Sequence, residues 1–338
     1  MPLAPEICCT LTPVPTIVKN RRQARCVRYH SLVPFLLPPD TPRRPLTRFA
    51  PAPTGYLHLG HAASAVWVWG VAQALGGKVL LRIEDHDRSR CRGEYERALL
   101  DDLEWLGLEP DLGGVADYRA GASEYRQSER GVVYEREFRR LEGAGLAFAC
   151  DCSRRRLREG DGNLPNVETR YDGRCRTRGL PAGLATGIRV RMEPGVERFV
   201  DLRLGPQEQA PAAQCGDLLV RDRLGQWTYQ FAVTVDDWLE QVDLVVRGED
   251  LLGSTGRQLR LARLLGRTTS SRYLHHPLIP GPSGAKLSKA NRDTGLRELR
   301  TAGMSPEEVL GAAAAATGLL PAPVPLRVTD LAELFTPG

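Results

Sequence analysis

One stretch constrains this chain more than any other: Arg48 to Trp69, RFAPAPTGYLHLGHAASAVWVW. Pro51, Pro53 and Gly55 forbid regular structure at a turn that follows a short apolar strand. Leu59 to Leu75 is long enough, and apolar on enough faces, to predict a buried helix, which Gly76 and Gly77 close. The N-terminus of that helix falls beside His58 and His61. Unsatisfied backbone N–H groups and the positive end of the helix dipole make such a position a site for phosphate, and Gly60 lets a ligand approach the backbone. Alone, the same four residues also describe a capped helix start with two imidazoles facing solvent.

A second cationic loop lies far downstream. Ala285 to Ala290 reads AKLSKA, inside a Gly/Pro/Ser-rich segment from Ile279 to Lys289 that is too polar and irregular for core. Two separated basic loops suit the two ends of one polyphosphate. Together, HLGH and KLSKA resemble the HIGH and KMSKS signatures of the class I aminoacyl-tRNA synthetases, and RFAPAPTGYLHLGH resembles their glutamyl branch. Ala290 stands where the second signature ends in serine.

The chain has 338 residues, 42% apolar and 26% charged, with net charge +5. That is room for one large or two ordinary domains, and the composition is that of a soluble globular protein. The basic balance permits a nucleic-acid partner without requiring one. No apolar run reaches the ~18 residues of a membrane span. Eight cysteines spread over the chain suit a reducing cytoplasm better than secretion.

Residues 1–46 are rich in proline and arginine and hold no helical or strand period, so they are expected to be a disordered extension. From Thr47 the chain becomes regular. The strand, turn and helix to Leu75 lead into KVLLRIED, a near-continuous apolar run ending in Glu84 and Asp85, which makes a βαβ unit with its charges beyond a strand end. Helices follow over Gly93 to Gly107 and Ser128 to Glu142. Leu146 to Cys215 changes character, with loops, many arginines and the pattern Cys150-x-Cys152 followed by Tyr171-x3-Cys175. Three cysteines in an insertion with a thin core suggest a structural metal. No histidine occurs between His86 and His275, so Asp151, Asp172, Tyr171 or water remain as the fourth ligand. Leu218 to Val220 and Trp227 to Val235 around Gly225 read as a hairpin, Val242 to Val246 as a buried strand ending at Arg247, and Gly256 to Leu265 as a helix. His275 and His276 are placed at a strand end with no catalytic duty. An Ala-rich helix covers Pro306 to Thr317, ahead of a Pro-rich tail.

The resemblance covers about Thr47 to Ala290. It implies an α/β fold: a Rossmann-type class I aminoacyl-tRNA synthetase catalytic core, halves 47–145 and 216–266, with a zinc-containing insertion at 146–215 and a short lysine-loop and helical part at 267–338. Within the glutamyl branch, the C-x-C and Y-x3-C pattern is that of the truncated enzymes that glutamylate queuosine, and it chooses Tyr171 as the fourth zinc ligand. The implied reaction is ATP-dependent, tRNA-independent activation of glutamate and its transfer to queuosine in the anticodon of tRNA(Asp), by a cytoplasmic monomer using Mg²⁺ with ATP. His58, His61 and Lys289 then serve catalysis, and Gly60, Lys286 and Ser288 join them on ATP. Glutamate, with two carboxylates and one ammonium, needs fixed cations and one fixed anion. Arg48, Arg247 and Glu84 provide these, with Tyr229 and the loop Phe49, Ala50, Pro51 and Ala52. The 48 residues after Ala290 are expected to hold no anticodon-binding domain. The competing readings are a conventional glutamyl-tRNA synthetase, a non-catalytic paralogue binding tRNA or nucleotide, and another nucleotidyltransferase with an HxGH turn.

Overall fold

The structure, a computed structural model, describes residues 34–121, 123–158, 170–183, 185–279 and 295–338. Two short strands, β1 (Phe35–Leu37) and β2 (Leu46–Phe49), precede helix α1 (Leu59–Leu75), and β3 (Lys78–Leu81) runs parallel to β2. Helices α2 (Gly93–Leu106), α3 (Val115–Arg119) and α4 (Gly131–Gly143) complete the first half. An insertion follows: β4 (Ala147–Cys150), α5 (Arg154–Arg158) and β5 (Gly187–Val190), then β6 (Glu197–Asp201), β7 (Gly205–Gln209), α6 (Pro211–Gln214) and β8 (Leu218–Arg221). The chain continues through α7 (Tyr229–Leu239), β9 (Leu244–Gly248), α8 (Thr255–Leu264) and β10 (Arg272–His276). Its last elements are α9 (Leu296–Thr301), α10 (Pro306–Ala316) and β11 (Phe335–Pro337).

The α/β expectation is met by a sheet of order β7-β6-β10-β9, in which β6, β10 and β9 are parallel. β9 lies beside β2, where the Asp243 N–H donates to the Leu46 carbonyl at 3.1 Å. The first half therefore extends outward from β2 to β3, and the second outward from β9 to β10 and β6. Parallel sheets bind ligands at such a reversal, beyond the carboxyl ends of the strands. Arg48 on β2 and Arg247 on β9 flank it. In the insertion, β4, β5 and β8 form a separate antiparallel sheet.

α1 is buried on most of its surface, including Val66, Trp67, Val68, Trp69 and Val71. At Gly70 an added Cβ would sit 2.3 Å from the Phe335 ring, so glycine is what lets the C-terminal strand close on the helix. Gly76, at φ 63°, ends α1 in the left-handed conformation that glycine adopts without cost. No helix among the described residues is long and apolar enough to cross a membrane.

Two expectations are corrected. The extension over 1–46 is not featureless at its end, because β1 pairs in parallel with β11, and Phe35 and Phe335 meet the Trp67 ring at 5.3 and 5.2 Å. Three residues paired with the far end of the chain leave no local period to read. The hairpin around Gly225 stops at a single Arg221–Trp227 bridge, and Tyr229–Leu239 is helical. Phe231 to Asp237 are all buried, and a run buried on every side looks the same for strand and helix.

Candidate active site

The histidine turn is built as its spacing implies. His58 caps α1: its Nδ1 accepts the Gly60 N–H at 3.1 Å, while the His61 Nδ1 accepts the His58 N–H at 3.1 Å. The imidazoles thus take the two roles of a capping box. An Nδ1 that accepts carries no proton, so each neutral ring holds its hydrogen on Nε2. Lys286, Ser288 and Lys289 lie outside the described residues. The chain on either side of their segment is held at the crevice: it leaves from β10, and at Gly295 it forms a bridge with His58, with the Leu296 N–H donating to the Leu57 carbonyl at 2.9 Å.

The loop after β2 is laced to the chain after β3. Arg82 N–H donates to the Phe49 carbonyl at 3.0 Å and Glu84 N–H to the Pro51 carbonyl at 3.1 Å, which sets Phe49, Ala50, Pro51 and Ala52 beside Glu84. The Glu84 carboxylate receives Arg82 Nη2 at 3.1 Å. Burial pushes Glu84 up from the usual carboxylate range, with Arg82 opposing. Arg48 donates through Nε to Asp237 at 3.2 Å and through Nη1 to the Val246 carbonyl at 3.0 Å. Asp237 also meets Arg82 Nη1 at 2.8 Å, and although burial works against its charge, Arg48 and Arg82 hold it below its usual range. Tyr229, at the start of α7, is raised by burial and then by Glu84, and it also feels Arg247, Arg48 and Asp237. The structure therefore gathers Arg48, Glu84, Tyr229 and Arg247 in one electrostatic neighbourhood.

Arg247 differs from its neighbours. Its guanidinium donates to His275 Nε2 at 3.0 Å, Gln258 Oε1 at 2.7 Å, Thr255 Oγ1 at 2.8 Å and the Leu251 carbonyl at 3.3 Å. All four acceptors are neutral, His275 because burial lowers its basicity. Arg48 and Arg82 are ion-paired, whereas no ion pair of Arg247 with a carboxylate is seen among the described residues.

Sequence reasoning missed Arg82, Asp236, Asp237 and Glu240, a buried layer beneath the pocket. Arg82 has no exposed surface and bonds Glu240 at 2.8 Å. Asp236 accepts Arg130, Gln127 and Tyr134 at 2.7, 2.7 and 2.8 Å. Arg82 stands two residues before Glu84, and the pair Asp236-Asp237 is uncommon inside an apolar helix; these were the available signals.

In the insertion, Cys150, Cys152 and Cys175 are buried with their sulfurs all within 4.8 Å of one another. Cys152 and Cys175 lie 3.6 Å apart, too far for a disulfide. A tetrahedron of ~2.3 Å Zn–S bonds has edges of roughly 3.8 Å, so this spacing fits a metal. The Tyr171 hydroxyl accepts the Cys175 N–H at 2.8 Å and is buried among the same sulfurs. Arg189 donates to Cys150 Sγ at 3.4 Å and lies 3.9 Å over the Tyr171 ring, and Arg178 reaches Cys175 Sγ at 3.5 Å. These arginines are placed to offset thiolate charge. Burial pushes the Cys152 thiol up to about 12, and the neighbouring Cys175 and Cys150 sulfurs add to it.

The family model "tRNA synthetases class I (E and Q), catalytic domain" matches residues 46–315. A protein of Symbiobacterium thermophilum named Glutamyl-Q tRNA(Asp) synthetase is 40% identical over 302 residues, 85% of this chain and 91% of that protein. One of the same name from Bordetella bronchiseptica is 44% identical over 254 residues, 72% of this chain and 74% of the other. A glutamate–tRNA ligase 2 from Alkalilimnicola ehrlichii is 41% identical, and the match covers 80% of this chain but 58% of the ligase. The solved glutamate-tRNA synthetase of Elizabethkingia anophelis superposes with TM-score 0.66 at 26% identity, over 80% of this chain and 61% of its own. The chain thus spans less than two thirds of these longer synthetases. This chain belongs to the class I tRNA synthetases of the glutamate and glutamine branch.

Proposed function

We propose that this chain activates L-glutamate with ATP, needing no tRNA for that step, and transfers the glutamyl group to queuosine in the anticodon of tRNA(Asp). The observation that carries the reading is Arg247, a buried guanidinium held by neutral acceptors beside two ion-paired arginines. Such a cation suits one carboxylate of glutamate, while Glu84 suits the ammonium and Tyr229 donates a neutral hydrogen bond. A carboxylate oxygen of glutamate attacks the α-phosphorus of ATP, and the bond to the departing pyrophosphate breaks. Charge that builds on the phosphates meets the N-terminus of α1 and the Nε2–H donors of His58 and His61, with Gly60 allowing close approach. Lys289, with Lys286 and Ser288, is assigned to the departing pyrophosphate. Rate enhancement of this kind comes from positioning and electrostatic stabilisation. In the second step a queuosine hydroxyl attacks the acyl carbon, its proton is lost, and AMP leaves.

The sulfur cluster is assigned one Zn²⁺, held by Cys150, Cys152, Cys175 and Tyr171. When bound, the ion cross-links the insertion, and a cage with four protein ligands offers no open position for chemistry.

The transfer step follows the relatives named for it, which this chain matches over most of their length. A conventional glutamate–tRNA ligase activity is the second reading, favoured by relatives of that name at 40 and 41% identity. ATP–pyrophosphate exchange with glutamate and no tRNA, followed by transfer to tRNA(Asp) with and without queuosine, separates the two. Exchange without tRNA and queuosine-dependent transfer are expected. Transfer to the 3′ end of tRNA(Glu), or exchange that demands tRNA, overturns the proposal.

A further inference from the structure

Three neighbouring parallel strands each place one polar residue at the carboxyl edge of the sheet: Asp201 on β6, His275 on β10 and Arg247 on β9. His275 and Arg247 are direct partners in the β10–β9 ladder, and Asp201 pairs with Tyr273 in the ladder on the other side. Arg247 Nε lies 3.0 Å from His275 Nε2, and His275 Nδ1 lies 2.6 Å from Asp201 Oδ2. The His275 and Asp201 side chains have no exposed surface.

These contacts assign the protons. A guanidinium only donates, so His275 Nε2 must present its lone pair to Arg247. The ring hydrogen is then on Nδ1 and is donated to Asp201. Asp201 receives donors at both oxygens, the Arg203 and Leu204 N–H groups at Oδ1 (3.1 and 2.9 Å) and the His275 N–H at Oδ2 (3.1 Å), so the proton of the pair belongs to the imidazole. The Thr255 hydroxyl, which accepts from Arg247 at 2.8 Å, lies 3.3 Å from His275 Nε2 and can donate to the same lone pair. The Tyr273 ring is near-parallel to the imidazole, 7° off, and lies 5.4 Å from the guanidinium carbon of Arg247.

We propose that His275, locked by Asp201 in the tautomer with hydrogen on Nδ1, is the positioning residue that aims Arg247 at the substrate carboxylate without neutralising it. The physical logic lies in the contrast with Arg48, which meets Asp237 directly and is thereby ion-paired. Interposing a neutral imidazole passes the orientation imposed by Asp201 on to Arg247 while keeping the two charges a ring apart. The guanidinium stays fixed, and its charge stays available. The inference rests on Arg247 binding a carboxylate of glutamate, as proposed above.

Asp201→Asn tests it. The backbone N–H groups at Oδ1 claim the amide oxygen, so the amide NH₂ faces His275 Nδ1 and turns it into an acceptor. Nε2 then carries the hydrogen and opposes Arg247 Nε–H, donor against donor. In exchange assays the KM for glutamate should rise roughly ten- to a hundredfold, the scale of one charge-assisted hydrogen bond, with the KM for ATP within about twofold. His275→Leu should behave likewise. His275→Gln, which keeps an acceptor for Arg247 and a donor for Asp201, should recover most of the affinity. Nitrogen NMR of histidine-labelled protein should find a buried ring protonated at Nδ1 in the native enzyme and at Nε2 in Asp201→Asn. A native His275 protonated at Nε2, or a folded Asp201→Asn enzyme with unchanged glutamate KM, overturns the proposal. If Asp201→Asn does not fold, the His275→Leu and His275→Gln pair decides, and equal glutamate KM in the two overturns it. Unchanged glutamate kinetics in Arg247→Ala would instead remove the glutamate assignment, a failure that the NMR result distinguishes because the tautomer is read without substrate.

Discussion

The sulfur cluster and the arginine pocket are both buried and polar, and they deal with charge in opposite ways. Around Cys150, Cys152 and Cys175 the protein gathers three buried sulfurs that could hold a metal ion, with Arg189 and Arg178 only at the periphery. In the pocket the chain supplies both signs itself. Arg48 and Arg82 meet Asp237, Glu84 and Glu240, and among the described residues Arg247 has neutral hydrogen-bond acceptors. The cluster concentrates like groups around one point, whereas the pocket spreads opposite charges over several residues and holds Arg247 through neutral acceptors.

The largest expected effect tests the first half of that contrast. Structural zinc sites contribute on the order of 10 kcal/mol in isolated small domains, so chelation, or Cys150→Ser, should release one zinc per chain and markedly lower the melting temperature. Elemental analysis that finds no zinc, together with an unchanged melt for Cys150→Ser, would erase the distinction.

The second tests the pocket. Removing one partner of a buried ion pair costs about 3–5 kcal/mol, so Arg247→Ala should raise the glutamate KM by roughly a hundredfold or more and leave ATP binding near native. Lys289→Ala should do the reverse, slowing adenylate formation with little effect on glutamate affinity. Steady-state exchange kinetics with each substrate varied in turn would check both, and equal losses for the two substrates would contradict the separation of roles.

Two smaller effects measure what an unbalanced buried group costs elsewhere in the molecule. His276, stacked on Trp67, is lowered to about 4 by burial. Its neutral form is favoured in the fold, so the stability it contributes is present above its ordinary pKa of 6.5 and is lost as pH falls toward 4. The loss should amount to about 3 kcal/mol, and urea unfolding of His276→Phe should lack that acid dependence. Asp102, on the buried face of α2, runs the other way. Burial raises it to about 6, and its Oδ2 has no hydrogen-bond partner among the described residues. Its ionised form is penalised in the fold, so the wild type should lose about 2–3 kcal/mol as pH rises from 4 past 6. Asp102→Asn should then be the more stable protein at pH 8 and no more stable at pH 4, and identical melting curves at pH 8 would refute this.

Much of the molecule was legible in the sequence where the signal is local. The bounds of α1 came from an apolar run closed by Gly76, and the histidine turn and the cysteine spacing each lie within a few residues of chain. Arg48, Glu84, Tyr229 and Arg247 were named through a family resemblance, since nothing in their separations along the chain brings them together. Asp237, Arg82, Gln258 and Asp201 were not found at all. His275 was assigned no duty, because a histidine at the end of a strand carries no sign of what will face it from the next strand.

By itself the sequence determined the parallel-sheet architecture, the histidine-bearing helix start and the sulfur trio, because each depends on periodicity or spacing along a single stretch. Tertiary structure alone decided which arginines meet carboxylates and which is held by neutral acceptors, and that the strand ending at Leu37 closes against the one beginning at Phe335. The reason is physical: whether a charge is paired depends on groups within ~4 Å, and in a sheet of parallel strands those groups come from positions far apart in the chain.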